Sequence, residues 1–338
     1  MKILVLGAGG VGGYFGGRLA AAGADVTLLV RTARRDQIAQ DGLRITSALG
    51  DLTMPVATVV TADLSPGYDL VILTCKAYDL DSSMDAIAPV LTGSCTVLPL
   101  LNGLAHLERL DARFGRGVVL GGSCAIDVML MPDGVIRHSG TLQRIVFGER
   151  DGQPSARTRA FAAVLDHSSL AWEHADDVLL RMWEKLVMLS VLAATTCLFR
   201  GNVQEIMSAP GGKDAAERAL AANVEIARRE GYPPTAEALN LAHTRLTDPA
   251  GQWSASMMRD MEGGRPVEAD HIIGWMLEKA RAHGVDDLIL SLAFTHLKTY
   301  ERRRADLRLP RAAEYVASGL QTRRREGGSE DPPLRTTY

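Results

Sequence analysis

The six residues Gly7-Ala8-Gly9-Gly10-Val11-Gly12 follow the apolar run KILVL and open a helical pattern. In that setting G-x-G-x-x-G can cradle a pyrophosphate. Gly7 permits the tight turn, Gly9 lets the backbone approach the ligand, and Gly12 allows close helix-strand packing. The helix N-terminus adds unpaired N–H groups. Where the next strand pattern, DVTLLV, ends, Arg31 occupies the position at which an NAD-preferring site carries an Asp or Glu. A planar guanidinium can pair with a 2′-phosphate through two hydrogen bonds, and Arg34 and Arg35 add charge close behind. NADP(H) is the expected cofactor.

Two further side chains are singled out by position. Lys76 ends the strand pattern DLVILTCK, and Asn102, followed by Gly103, ends TVLPLLNG. Ligands of open parallel sheets lie outside the carboxyl ends of the strands, so both residues can reach the crevice that would hold the nicotinamide half. A surface lysine and an Asn-Gly turn are common on their own, and position is their main credential.

The elements that must carry these residues fall into two halves. Up to about residue 170, short β-branched runs alternate with helical patterns, which implies parallel strands joined by right-handed crossovers. LRITSALGDLTMPVATVV alternates around a turn and reads as an inserted hairpin, while MPDGVIRHSG marks a turn between two strands. From Asp176 the pattern is helical throughout. The expected fold class is an α/β Rossmann-like N-terminal domain, residues 1–175, followed by an all-α domain, residues 176–318. The charged, Gly- and Pro-rich stretch 319–338 is expected to be a disordered tail.

With 37 basic and 40 acidic residues in 338, the net charge of -3 gives no field suited to nucleic acid or an anionic membrane. The four cysteines lack metal spacing and disulfide density, so a reducing cytoplasm and no metal are expected. The nearly uncharged run Leu186–Phe199 falls short of the roughly 20 residues that span a bilayer and reads as a buried helix. Met257, Met258 and Met261 read as core, and His271 as a packed or surface histidine. The helical half is long enough for a homodimer interface, although no strip of residues singles one out.

Beyond these readings, the chain resembles the ketopantoate reductase family, the NADPH-dependent 2-dehydropantoate 2-reductases. The resemblance is carried by the glycine loop with Arg31, by Lys76 and Asn102-Gly103, by Trp183-Glu-Lys185-Leu, and by ASMMRDMEGGRPVEADHIIG. It implies a small 2-keto acid as substrate, Lys185 as general acid and Ser256 holding substrate. It further implies that Glu268 contacts the active-site lysine and substrate or cofactor, and that Asn102 and Lys76 line the cleft. The chemistry is coherent, because hydride delivered to a keto carbon builds charge on its oxygen, which an ammonium both stabilises and protonates. An ammonium in so apolar a helix needs a partner, and Glu268 is the candidate.

The family pattern also fails in places. Lys185, Leu189 and Ala193 stand where it has Lys-x-x-x-Asn-x-x-x-Asn, spaced to share one helix face. Trp253 replaces another asparagine, and Asn202 is offset by one residue from a last one. Each lost amide would leave a substrate polar group unpaired, at about 1 to 3 kcal/mol. The expectation is therefore a reductase whose 2-keto acid, or related carbonyl, bears a more apolar side chain. Two alternatives stay open: a 3-hydroxy acid dehydrogenase on the same plan, and a non-catalytic NADPH sensor.

Overall fold

The computed structural model describes residues 1–309, so the expected tail at 319–338 and the end of the helical half, 310–318, lie outside the described residues. The described residues form ten strands: β1 (Lys2–Leu6), β2 (Asp25–Leu29), β3 (Leu43–Ser47), β4 (Leu52–Met54), β5 (Ala57–Val59), β6 (Leu70–Leu73), β7 (Thr96–Pro99), β8 (Gly121–Leu130), β9 (Ile136–Gly148) and β10 (Ala171–His174). The first half also holds α1 (Gly10–Ala21), α2 (Thr32–Asp41), α3 (Leu80–Ile87), α4 (Ala105–Phe114) and α5 (Ala156–Asp166). Five strands make an all-parallel sheet in the order β5-β2-β1-β6-β7. Both faces of β6 and β7 are buried, which is why they read as continuous apolar runs without alternation.

Helix α1 lies very close to this sheet. A Cβ added at Gly16 would come 2.8 Å from Leu28 Cδ2 of β2, while one at Gly17, facing the second sheet, would come 2.6 Å from Leu43 Cδ2 of β3. At Gly12 the approach is tighter still, 2.1 Å to the Gly7 carbonyl oxygen and 2.3 Å to Thr74 Oγ1. Gly12→Ala must therefore push α1 off the end of β1. We expect it to cost about 1–3 kcal/mol in denaturant unfolding, together with weakened nucleotide binding.

The remaining strands differ from a simple continuation of the parallel pattern. β3 and β4 form the expected hairpin, Leu43 opposite Met54, but they join a second sheet, β10-β9-β3-β4, with β8 antiparallel to β9. Alternation reveals that a strand has one buried face. It carries no information about a partner such as β9, which lies some ninety residues further on. β8 and β9 meet at the Pro132-Asp133-Gly134 turn, where the Gly134 N–H donates to the Met131 carbonyl at 2.9 Å.

Beyond Asp176 the fold is helical: α6 (Val178–Phe199), α7 (Val203–Ser208), α8 (Gly212–Arg229), α9 (Ala236–Leu246), α10 (Ser256–Glu262), a π-helical segment Asp270–Gly274, α11 (Trp275–His283) and α12 (Leu288–Ala305). α6 extends the uncharged run Leu186–Phe199 back to Val178, where the helical pattern starts, and is capped by Asp177, whose side chain accepts from the Leu180 N–H at 2.9 Å. Its 22 residues are long and apolar enough to cross a membrane, yet 61% of the apolar window is buried within the fold. α8, α9, α10 and α12 pack around it, and its buried Ser190 donates to Asn223 of α8. The long helix is thus the axis of the second half, and it delivers Lys185 to the boundary with the sheets.

Candidate active site

The glycine loop lies at the carboxyl end of β1, and the strand order reverses between β1 and β6, where open α/β sheets bind ligands. Gly7 has φ +97°, a conformation that side chains disfavour. A Cβ at Gly9 would meet nothing within 4 Å, so the loop presents bare backbone to open space. No side chain caps the start of α1, which leaves its first N–H groups for a ligand. These features fit a dinucleotide pyrophosphate.

Arg31 sits at the N-cap position of α2 with its side chain 90% exposed, and among the described residues its guanidinium approaches only Asp79, at 3.8 Å. It is available to an anion. Arg34 departs from the role of auxiliary charge expected for it. Its guanidinium turns inward, donating to the Ala8 carbonyl at 3.2 Å, to the Gly134 carbonyl at 2.9 Å and to Gln37 at 2.6 Å. It ties the glycine loop to the β8–β9 turn, while Arg35 pairs with its neighbour Asp36.

Lys185 projects from α6, and its ammonium is held by atoms of the other half. Nζ donates to Asn102 Oδ1 at 3.0 Å and to the Cys124 carbonyl of β8 at 2.6 Å. Burial pushes its pKa down, against the attraction of nearby acidic groups including Glu268. Cys124 itself is buried with a raised thiol pKa, so its sulfur carries no charge at neutral pH. The ammonium therefore rests on neutral acceptors, with no ion-pair partner among the described residues to offset the cost of burial. Its stem also borders a cavity of about 240 Å³ beside Met188 and Leu241, whose arginines, Arg144 and Arg181, are already paired with Glu173.

Glu268 is not the hydrogen-bonded partner of Lys185, and here the expectation is corrected. One carboxylate oxygen accepts from Lys76 Nζ at 3.0 Å and the other from the Ala77 backbone N–H at 3.0 Å. Asn102 and the Cys124 carbonyl take two of the three Lys185 Nζ protons, and the turn after β6 faces the residues leading into the π-helical segment. Lys76 also donates to Asp260 of α10 at 3.0 Å, and Arg265 bonds the other oxygen of Asp260 at 2.8 Å. Burial opposes the charge on Lys76, but the two carboxylates outweigh it and hold its pKa above the ordinary lysine range.

This cluster ties the two halves together at the crevice. Glu268 is 7% exposed, whereas two-fifths of the Lys76 side chain is open to water, which screens the pair. Lys76→Met should cost about 1–3 kcal/mol by urea unfolding, chiefly through the buried carboxylates left behind. Because the folded pKa is raised, the contribution of Lys76 is complete below the unfolded value of ~10.4 and fades only in stronger alkali. A stability difference that disappears already at pH 8 would contradict this account.

Ser256 is the first residue of α10, half-buried, and its hydroxyl has no hydrogen bond among the described residues. Asp260, one turn on, shares its helix face and is a site residue that reading the sequence left without a role. Leu189 and Ala193 follow Lys185 along α6, packed among apolar neighbours. Trp253 turns toward α9, donating to the Arg245 carbonyl at 3.1 Å. Asn202 caps α7 through the Glu205 N–H at 2.9 Å and is occupied structurally. His271 is packed, as expected, but against a second buried histidine, His106.

Two models of one family cover most of the chain: "Ketopantoate reductase PanE/ApbA" matches residues 3–152 and its C-terminal counterpart matches residues 177–301. An uncharacterized oxidoreductase of Bacillus subtilis, YkpB, is 33% identical over 305 residues, which are 89% of this chain and 99% of that protein. The crystal structure of 2-dehydropantoate 2-reductase from Geobacter metallireducens superposes with a TM-score of 0.80 at 26% identity, covering 88% of this chain and 99% of that one. A ternary structure of D-mandelate dehydrogenase with NADH and anilino(oxo)acetate also superposes with a TM-score of 0.80, at 21% identity, over 90% of this chain and 99% of that one. With both halves matched by the family's models and a relative 33% identical across 89% of this sequence, the chain belongs to the ketopantoate reductase family of oxidoreductases.

Proposed function

We propose that this protein reduces a 2-keto acid to the 2-hydroxy acid with NADPH, and that its substrate has a more apolar side chain than ketopantoate. The observation that carries the reading is the Lys185 ammonium, held across the boundary by Asn102 Oδ1 and the Cys124 carbonyl. When bound, NADPH supplies the hydride. The chain does the rest. Lys185 faces the developing alkoxide, stabilises its charge and gives it a proton. Asn102 keeps the ammonium aimed, and the Lys76–Glu268–Asp260 cluster fixes the crevice wall. Ser256 offers a free hydroxyl to the substrate, and Arg31 offers its fork to the 2′-phosphate.

The family's default reaction is ketopantoate to pantoate. Leu189 and Ala193 argue for a different preference, because neither can hydrogen-bond a substrate hydroxyl, and Trp253 is committed to α9. The D-mandelate dehydrogenase of similar fold, with anilino(oxo)acetate bound, supports room for an aryl group in this architecture. Steady-state NADPH consumption across 2-keto acids of graded polarity tests the proposal. Branched or aryl substrates should exceed ketopantoate in kcat/KM by roughly tenfold. Ketopantoate as the best substrate would overturn the specificity, and no turnover with any 2-keto acid would overturn the reaction.

A further inference from the structure

Between the two halves lies a buried polar contact that the proposed reaction does not yet use. His106, in the first turn of α4, has no exposed surface, and His271, in the π-helical segment, has 9%. His106 Nδ1 and His271 Nε2 are 3.3 Å apart, so one ring donates and the other accepts, and the rings stack at 5.5 Å. His106 Nε2 has no partner among the described residues. Burying two imidazoles this incompletely satisfied is unfavourable, and an apolar side chain would fill the same volume without that penalty. Packing alone does not account for them.

Their location does. Gly103 has φ +82°, and a Cβ placed there would lie 3.1 Å from His271 Cδ2 and 3.2 Å from the His271 carbonyl oxygen. The turn that carries Asn102 is therefore seated directly on His271, with no room between them. π-Helical turns concentrate at functional sites, and this one brings His271 round to that seat. His106 holds the ring through Nε2, on the edge that borders Gly103, and Asn102 Oδ1 then meets Lys185 Nζ at 3.0 Å. Resting on the reading of Lys185 as proton donor, we infer that the His106–His271 pair positions Asn102, and through it the Lys185 ammonium.

Both imidazoles must stay uncharged for this. Burial lowers the pKa of each first. The surrounding cations lower His106 further, namely Arg150 and Lys185 together with His271 if it were charged. Arg109 does the same to His271, while Glu268 and the Asn102 carbonyl oppose. A second positive charge here would lower the pKa of Lys185 further.

The test compares His271→Phe and His106→Leu, which remove the nitrogens, with His271→Gln and His106→Asn, whose amides stand in for Nε2 and Nδ1. The apolar variants should lower kcat on the best 2-keto acid about tenfold with KM for NADPH within about twofold. The titration of Lys185, followed by NMR of labelled lysine, should shift to lower pH as the Asn102 oxygen is lost. The amide variants should recover most of both. Unchanged kcat and Lys185 titration in the apolar variants would overturn the inference, as would losses that the amides fail to restore. Should the wild type reduce no 2-keto acid, the Lys185 titration still decides the positioning role by itself.

Discussion

Lys185→Ala is expected to lower kcat for the best 2-keto acid by roughly 10²–10⁴-fold while leaving the Kd for NADPH, measured by fluorescence, within about twofold. The asymmetry follows from what the ammonium touches. Its two hydrogen bonds go to Asn102 and the Cys124 carbonyl, and none goes to the glycine loop or Arg31. Its charge matters most once negative charge has developed on the carbonyl oxygen, so its loss falls on the transition state. The pH dependence gives an independent check. Burial lowers the pKa of Lys185, and a general acid must be protonated to act, so the alkaline limb of kcat should lie below the ordinary lysine value of ~10.4. That limb should be absent in Lys185→Ala. A variant that keeps most of its turnover, or a wild type with no alkaline limb, would remove Lys185 from the chemistry.

What the sequence could and could not reveal about this site divides along a physical line. The cradle was legible because its parts are local: a strand, a glycine loop, a helix and the next strand, all within Lys2 to Arg31. The helical half was legible from its period, whereas Lys185 was singled out through the family resemblance. The pairing of Glu268 was not legible. A buried ammonium demands acceptors, but backbone carbonyls such as that of Cys124 leave no mark in a sequence, so the acid was assigned to the wrong lysine. Lys76 and Glu268 are 192 residues apart, and only the packing of the turn after β6 against the helical half brings them together. Arg34 shows the same limit on a smaller scale. Composition counts it as charge for a phosphate, while the β8–β9 turn, a hundred residues later, takes its guanidinium for structure.

That contrast makes Arg31 and Arg34 separable by experiment, and the effect expected at Arg31 is large. If Arg31 reads the 2′-phosphate as proposed, Arg31→Asp should reduce kcat/KM for NADPH by roughly 10²-fold or more, because a charge-assisted bidentate pair would be replaced by repulsion of that phosphate. The new carboxylate would stand beside Asp79, which already approaches Arg31 at 3.8 Å, and this deepens the negative field at the phosphate position. For NADH the change should be small or favourable, since an Asp at the end of the second strand can accept from both ribose hydroxyls. Arg34→Ala should behave differently. With its bonds to Ala8 and Gly134 gone, the glycine loop loosens and both cofactors should weaken alike. If Arg31→Asp lowers NADPH and NADH efficiency equally, or if Arg34→Ala discriminates between them, the inward arginine is the one that reads the 2′-phosphate and the assignment to Arg31 fails.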